Sequence, residues 1–218
     1  MQDVYATAEY TWALILSLIR KVPFAFDDVK CGNWKREAFQ GTELHGKTLG
    51  IVGYGRVGQQ VARIAEVFGM KVIANDLPSD RHDAPYKNHK VEFCTLDTLL
   101  RYADIITVHV PLNESTRGIF GWKQFEMMKP TAYFINTSRG GIVSHHALED
   151  VLMTGEITGA ALDVVDGEPE LDKCLLDYIN SDDNLIITPH IAGNTAESRE
   201  KTQLFIANKI KEFILGGG

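Results

Sequence analysis

The stretch from Thr48 to Gly58 constrains this chain more than any other. An apolar run, Thr-Leu-Gly-Ile-Val, ends in Gly53, Gly55 and Gly58, and a helical pattern follows at once. That G-x-G-x-x-G spacing suits a strand that turns sharply into a helix while its backbone approaches a pyrophosphate. The first glycine permits the turn, the second keeps a Cβ out of the path of the phosphates, and the third lets helix and strand pack closely. N–H groups left exposed at the turn face an anion, which places Arg56 and Val57 in the same binding set.

The surroundings agree with this reading. Val57, Val61, Ile64, Ala65 and Phe68 share one helical face, and Gly69 stands where the helix would stop. A second strand, Lys71 to Ala74, ends in Asn75 and Asp76. An acid at that point holds the adenosine ribose hydroxyls of NAD and repels the additional phosphate of NADP; Arg81, the nearest cation, comes a few residues late to offset it. NAD is therefore the expected cofactor.

Bulk properties remove several alternatives. The chain has 218 residues, 44% hydrophobic and 23% charged, which is ordinary globular composition. A net charge of -7 with no Lys/Arg cluster argues against a nucleic-acid partner. Cys31, Cys94 and Cys174 are an odd, scattered set without metal-ligand spacing, so we expect a reduced cytoplasmic setting and no metal. The apolar segment Trp12 to Ile19 is too short to cross a bilayer, and no membrane partner is expected.

Ala6 to Lys21 reads as a helix that is apolar nearly all round, either a central core helix or one held between its own sheet and another subunit. Pro23 to Leu44 has little periodicity and reads as a wrapping connection. Strands are expected at Val91 to Cys94, Asp104 to Val110, Ala132 to Thr137, Ile157 to Val165 and Asn184 to Thr188. Helices are expected at Leu96 to Tyr102, Trp122 to Met128 and Ala147 to Thr154. The last helix, Ala196 to Leu215, has Asn194 and Glu197 placed as a capping box and is expected to bury Ile206, Ile210, Phe213 and Ile214. The alternation predicts an α/β fold, Rossmann-type and doubly wound, with a mostly parallel sheet flanked by helices. We read one domain over 1–218: an N-terminal helix and connection (1–47), a nucleotide-binding core (48–194) and a C-terminal helix (195–218).

Ligands of such sheets sit outside the carboxyl ends of the strands. Asn136, Thr137, Ser138, Arg139, Gly140 and Gly141 follow one strand, and Asp163, Asp166 and Glu168 end the next. Pro189, His190, Ile191, Ala192 and Gly193 follow the last strand, while Val110 and Pro111 close another. An arginine, a carboxylate and a histidine thus reach the edge that holds the dinucleotide. Hydride transfer from a carbon requires a group to take the hydroxyl proton: a histidine can do so, a carboxylate can orient its ring, and an arginine can grip a substrate carboxylate bidentately. Arg139, Glu168 and His190 suit these catalytic roles, with Asp166 the rival carboxylate. His45, His82, His89, His145 and His146 read as surface or locally bonded residues.

Taken in order, these motifs resemble the D-isomer-specific 2-hydroxyacid dehydrogenases. The carriers are Gly53 to Gly58, Asn-Thr-Ser-Arg-Gly-Gly from Asn136, Ala-Leu-Asp-Val-Val-Asp-Gly-Glu-Pro from Ala161 and Thr-Pro-His-Ile-Ala-Gly from Thr188. The resemblance implies Arg139 for substrate binding and carbonyl polarisation, His190 as acid/base with Glu168 its partner, and Asp163 near the nicotinamide carboxamide. It also implies Asp76 on the adenosine ribose and a two-fold homodimer. The full cofactor-binding set is then Gly53, Gly55, Arg56, Val57, Gly58, Asp76, Val110, Pro111, Thr137, Ser138, Arg139, Asp163, His190 and Gly193, and the substrate a small 2-hydroxy or 2-keto acid. Family members usually open with a second, smaller domain that completes the cleft, and this sequence reads as the cofactor half, slow in turnover by itself. Ser144, His145 and His146 stand where the family more often has acids. A second function class stays open: an NAD(H)-sensing interaction module like the corepressors that share this fold.

Overall fold

The computed structural model describes residues 5–76 and 91–215. Arg81, His82 and His89 lie outside them, as do the three closing glycines. Seven strands form one parallel sheet: β1 (Thr48–Val52), β2 (Lys71–Asn75), β3 (Val91–Phe93), β4 (Ile105–Val108), β5 (Tyr133–Asn136), β6 (Gly159–Leu162) and β7 (Leu185–Ile187). Their spatial order is β3-β2-β1-β4-β5-β6-β7, so the chain reverses its direction of travel between β1 and β4. Such a switch point leaves a crevice at the carboxyl edge of the sheet.

Strand residues alternate between two cores. Leu49, Ile51, Ile105, Ile135 and Ala161 point toward α1 (Tyr5–Ile19) and α3 (Arg56–Val67). Ile106, Phe134, Ala160 and Leu162 point toward the opposite layer, which includes α4 (Leu96–Tyr102), α5 (Trp122–Glu126), α6 (His145–Met153) and α7 (Lys173–Ser181). Phe120, Phe125 and Phe134 form the centre of that second core, with ring centroids 4.9 to 6.2 Å apart. Helix α1 is a core helix of this chain. It lies on α3 and on β5, β6 and β7, with Trp12 stacked on Phe68 at 4.8 Å and its indole N–H donating to the Val61 carbonyl at 3.1 Å. Only Ala13 on its apolar segment is exposed, which accounts for hydrophobicity on every side.

Three local expectations need correction. The connection after α1 contains a helix, α2 (Val22–Lys30), none of whose residues is buried. A helix with no inward stripe shows no apolar period, so pattern reading passes over it. Helix α7 was also missed: it buries only Leu175 and Tyr178, too few for a repeat, and is started by Asp172, whose side chain accepts from Cys174 N at 2.8 Å. The third correction concerns α8 (Ala196–Leu215). Its expected buried residues Ile206, Ile210, Phe213 and Ile214 are 51%, 54%, 85% and 70% exposed, because no described element packs along them. The cap of α8 also falls one residue later than expected, with Thr195 Oγ1 accepting from Ser198 N at 3.1 Å.

Strand ends are level at the carboxyl edge. Val52 pairs with Val108, Val108 with Asn136, Asn136 with Leu162, and Leu162 with Ile187. The residues that follow, Gly53, His109, Thr137, Asp163 and Thr188, therefore stand in one row. The expected strands ran past these points because their last residues leave the ladder to form the site.

Candidate cofactor and substrate site

The glycine turn is built as its spacing requires. Gly53 has φ +95°, and a Cβ there would lie 2.8 Å from the His109–Val110 backbone. A Cβ on Gly58 would meet the Gly53 carbonyl oxygen at 2.3 Å, so helix α3 can approach β1 only without one. Gly55 differs: a Cβ there would meet nothing within 4 Å, since the residue faces open space at the start of α3. That space is a cavity of about 680 Å³, whose walls include Gly55, Arg56, Val57, Val110, Pro111, Thr137, Ser138 and Arg139. An extended dinucleotide fits these residues, with backbone N–H groups and the positive end of α3 toward its phosphates.

Asp76 leaves the end of β2 and turns back to the glycine loop, its Oδ2 accepting from Tyr54 N at 2.8 Å. It is thus held beside the turn, one strand away from the cavity walls.

The next loop is locked by Asn136. Its Oδ1 accepts from Ser138 N at 3.0 Å and from Ser138 Oγ at 2.8 Å, and its Nδ2 donates to the Arg139 carbonyl at 3.0 Å. Thr137 is tied to α1 by a 2.9 Å contact with Thr11 Oγ1. Gly140 then passes so close to the loop after β6 that a Cβ would lie 2.1 Å from Val165 C. These constraints leave Arg139 exposed over the crevice, its Nη1 donating only to its neighbour's Ser138 carbonyl at 2.6 Å.

Asp163 organises the last loop. It is 1% exposed, and its carboxylate accepts from Thr188 Oγ1 at 2.7 Å, Ile191 N at 2.9 Å and Ala192 N at 2.8 Å. The loop is thereby wrapped around His190, which adopts a left-handed φ of 54° and donates its N–H to the Asp163 and Thr188 carbonyls. Its ring reaches Glu168: Nδ1 lies 2.5 Å from Oε1, while Oε2 accepts from Val165 N at 3.3 Å. Asp166, the rival carboxylate, is exposed and makes no such contact. Gly193, Arg139 and His190 share the walls of a second cavity of about 670 Å³, which meets the first at Thr137 and Arg139.

Among the residues of these walls that were not foreseen, three stand out. Thr7 lies in a helix that reads as pure core, and Arg199 in one that reads as distant from the edge. His109 is the third: burial pushes its pKa down to about 4, and its Nε2 is enclosed without a partner. A histidine one residue past a buried strand was the signal for it. His145 and His146 sit together at the start of α6, away from His190, with ring centroids 4.7 Å apart and His146 Nδ1 3.8 Å from Glu149. Among the described residues no cluster of three or more His, Cys, Asp or Glu could hold a metal, and no helix is long and apolar enough to cross a membrane.

Comparison with known proteins gives the site its context. The family model described as D-isomer specific 2-hydroxyacid dehydrogenase, NAD binding domain, matches residues 12–192. A D-3-phosphoglycerate dehydrogenase of Methanocaldococcus jannaschii is 40% identical over 97% of this chain and 39% of its own length. A hydroxypyruvate reductase of Thermotoga maritima is 39% identical over 94% of this chain and 65% of its own. The chain thus spans between about two fifths and two thirds of these relatives. In structure it is similar to the D-lactate dehydrogenase of Aquifex aeolicus complexed with NAD and lactic acid, with a TM-score of 0.88 and 32% identity over 98% of this chain and 67% of that one. With its glycine turn, level strand ends and histidine-carboxylate pair, the chain belongs to the D-isomer specific 2-hydroxyacid dehydrogenases and is an NAD-binding domain of that family.

Proposed function

We propose that this chain works in the interconversion of a D-2-hydroxy acid and a 2-keto acid, with Arg139, Glu168 and His190 as its catalytic residues. The observation that carries the reading is the 2.5 Å contact of His190 Nδ1 with Glu168, made by a histidine that shares the walls of a cavity with Arg139. Bound NAD supplies the hydride acceptor, and NADH the donor. Glu168 accepts a hydrogen bond from Nδ1–H and so keeps the proton there, which leaves Nε2 to take the hydroxyl proton in oxidation and return it in reduction. Arg139 holds the substrate carboxylate and polarises the carbonyl. Gly53, Gly55, Arg56, Val57 and Gly58 bind the pyrophosphate, and Asp76 the adenosine ribose. Val110, Pro111, Thr137, Ser138, Asp163 and Gly193 line the remaining cofactor path. Residues 1–218 act as one nucleotide-binding unit, and Asp76 favours NAD over NADP.

The His190 and Glu168 side chains are 49% and 36% exposed, so excluding water from the reaction needs a further wall over the cleft. Turnover by the 218-residue chain is accordingly expected to fall well below the typical ~10 per second. The unpaired thiols of Cys31, Cys94 and Cys174 support a cytoplasmic setting. Symmetric pairing is the commonest assembly of soluble chains, and light scattering should report a two-fold dimer; a mass near 24.3 kDa would remove that part of the proposal.

The test is NADH oxidation with glyoxylate, pyruvate, hydroxypyruvate and phenylpyruvate. His190→Ala should lower the rate about 10³-fold with NADH binding retained. Equal rates in the two proteins would overturn the proposal.

A further inference from the structure

The cavity of about 670 Å³ beside His190 has an unusual balance of charge. The chain as a whole carries -7, yet this cavity is walled by Arg139, Arg199 and His190. Its one carboxylate, Asp163, is buried and directed into the N–H groups of Ile191 and Ala192 and the hydroxyl of Thr188. Glu168 lines a different cavity, on the Nδ1 side of His190. No carboxylate therefore opposes the two guanidinium groups within these walls.

Arg199 stands in the first turn of α8, and its side chain is engaged in no ion pair or hydrogen bond among the described residues. Its backbone is fixed: Arg199 N donates to the Thr195 carbonyl at 3.1 Å, in a turn capped by Thr195. A second arginine has no task in reducing a substrate with a single carboxylate, for which Arg139 suffices. Two arginines that line one cavity with a histidine match a ligand with two anionic groups.

We infer that Arg199 is a specificity-determining residue that selects 2-keto acids bearing a second anionic group, a phosphate or a second carboxylate, at the end remote from the keto acid. The inference rests on the dehydrogenase reading, and it deepens that reading by naming a substrate class. Arg139 takes the 2-keto carboxylate and His190 serves the carbonyl. Arg199, arriving from a separate element, takes the distal anion.

The test is calorimetric binding of pyruvate, oxaloacetate and 3-phosphohydroxypyruvate to the chain saturated with oxidised NAD, which holds no hydride to transfer. The unaltered protein should bind at least one dianion about tenfold more tightly than pyruvate, the equivalent of one ~1.4 kcal/mol contact. Arg199→Gln should erase that advantage while leaving pyruvate within about threefold, and Arg199→Lys should keep part of it. Comparing oxaloacetate with the phosphorylated acid tells whether the distal group is carboxylate or phosphate. Raising salt should narrow the advantage in the unaltered protein only. Equal loss of all three ligands in Arg199→Gln, or no change in any, would overturn the assignment while pyruvate binding kept the dehydrogenase reading intact. Failure of every keto acid to bind beside oxidised NAD would overturn both.

Discussion

The two edges of the sheet each engage a carboxylate, half-buried Asp104 at one and buried Asp163 at the other, and they use it differently. At the amino edge, Asp104 accepts from Thr48 N at 2.8 Å and from Lys129 Nζ at 2.8 Å. Burial there favours the neutral acid, but Lys129 and the Thr48 N–H outweigh it and hold the carboxyl below its ordinary range. The contacts clip the start of β1 and the turn before β5 to the start of β4. At the carboxyl edge Asp163 is equally engaged, yet the loop it organises projects His190 outward and lies beside an Arg139 that is almost free. One saturated carboxylate closes the structure. The other is a rigid base for groups whose valences stay open, which is how a stable scaffold and a reactive surface coexist in one sheet.

Replacing the two carboxylates should separate those uses. Asp163→Ala leaves two backbone N–H groups and a threonine hydroxyl unpaired in a buried place, and should lower unfolding stability by about 3 kcal/mol and NADH affinity with it. Asp104→Asn should cost about 1 to 2 kcal/mol and leave NADH affinity unchanged. Denaturant melts beside cofactor titrations check both, and a loss of affinity in Asp104→Asn would show that the edges are coupled.

Acid should act on both edges in different windows. His109 has its pKa pushed from 6.5 down to about 4 by burial, so the unfolded chain binds more protons than the folded one between those values. Its contribution is complete above pH 6.5 and is lost as pH falls toward 4, a total of about 3 kcal/mol at ~1.4 kcal/mol per pH unit. The depressed Asp104 adds stability that is present above its ordinary value of 3.8 and disappears only below it. Stability measured from pH 7 to 4 should therefore flatten in His109→Asn. An unchanged slope would assign the acid sensitivity to other groups.

The smallest effect belongs to the glycine turn. Gly55→Ala adds a methyl group to open space, so the melting point should hold while NADH affinity falls about tenfold, or ~1.4 kcal/mol. Gly58→Ala should do the reverse, since its methyl group meets the Gly53 carbonyl and distorts the fold first. Unaltered NADH affinity in Gly55→Ala would place the phosphates elsewhere.

Much of this was legible from residues alone where a local rule applied. Glycine spacing located the turn, since the positive φ of Gly53 and the contact of Gly58 with the Gly53 carbonyl are settled within a few residues, and the period of Val57 to Phe68 located α3. The groups after each strand pointed to one edge because parallel strands deliver their ends to the same side. Reading failed where a residue's partner lies far off in sequence. Thr7 and Arg199 come from opposite ends of the chain into one cavity, and no spacing encodes that meeting. Glu168 was chosen over Asp166 on its place in the motif before Pro169, and the folded loop supplies the contact with His190 that the motif alone does not contain. Helix α8 shows the converse, because its apolar stripe predicts a partner surface that no described element provides.

The sequence by itself determined the α/β alternation, the dinucleotide turn and the candidate set of Arg139, Glu168 and His190, because hydrophobic period, glycine stereochemistry and side-chain chemistry are local properties. Tertiary structure alone decided that α1 is a core helix, that Asp163 holds the His190 loop, and that Arg199 joins Arg139 at one cavity. Those depend on strand register and loop path, through which hydrogen bonds and packing bring together residues from 28 to 126 positions apart.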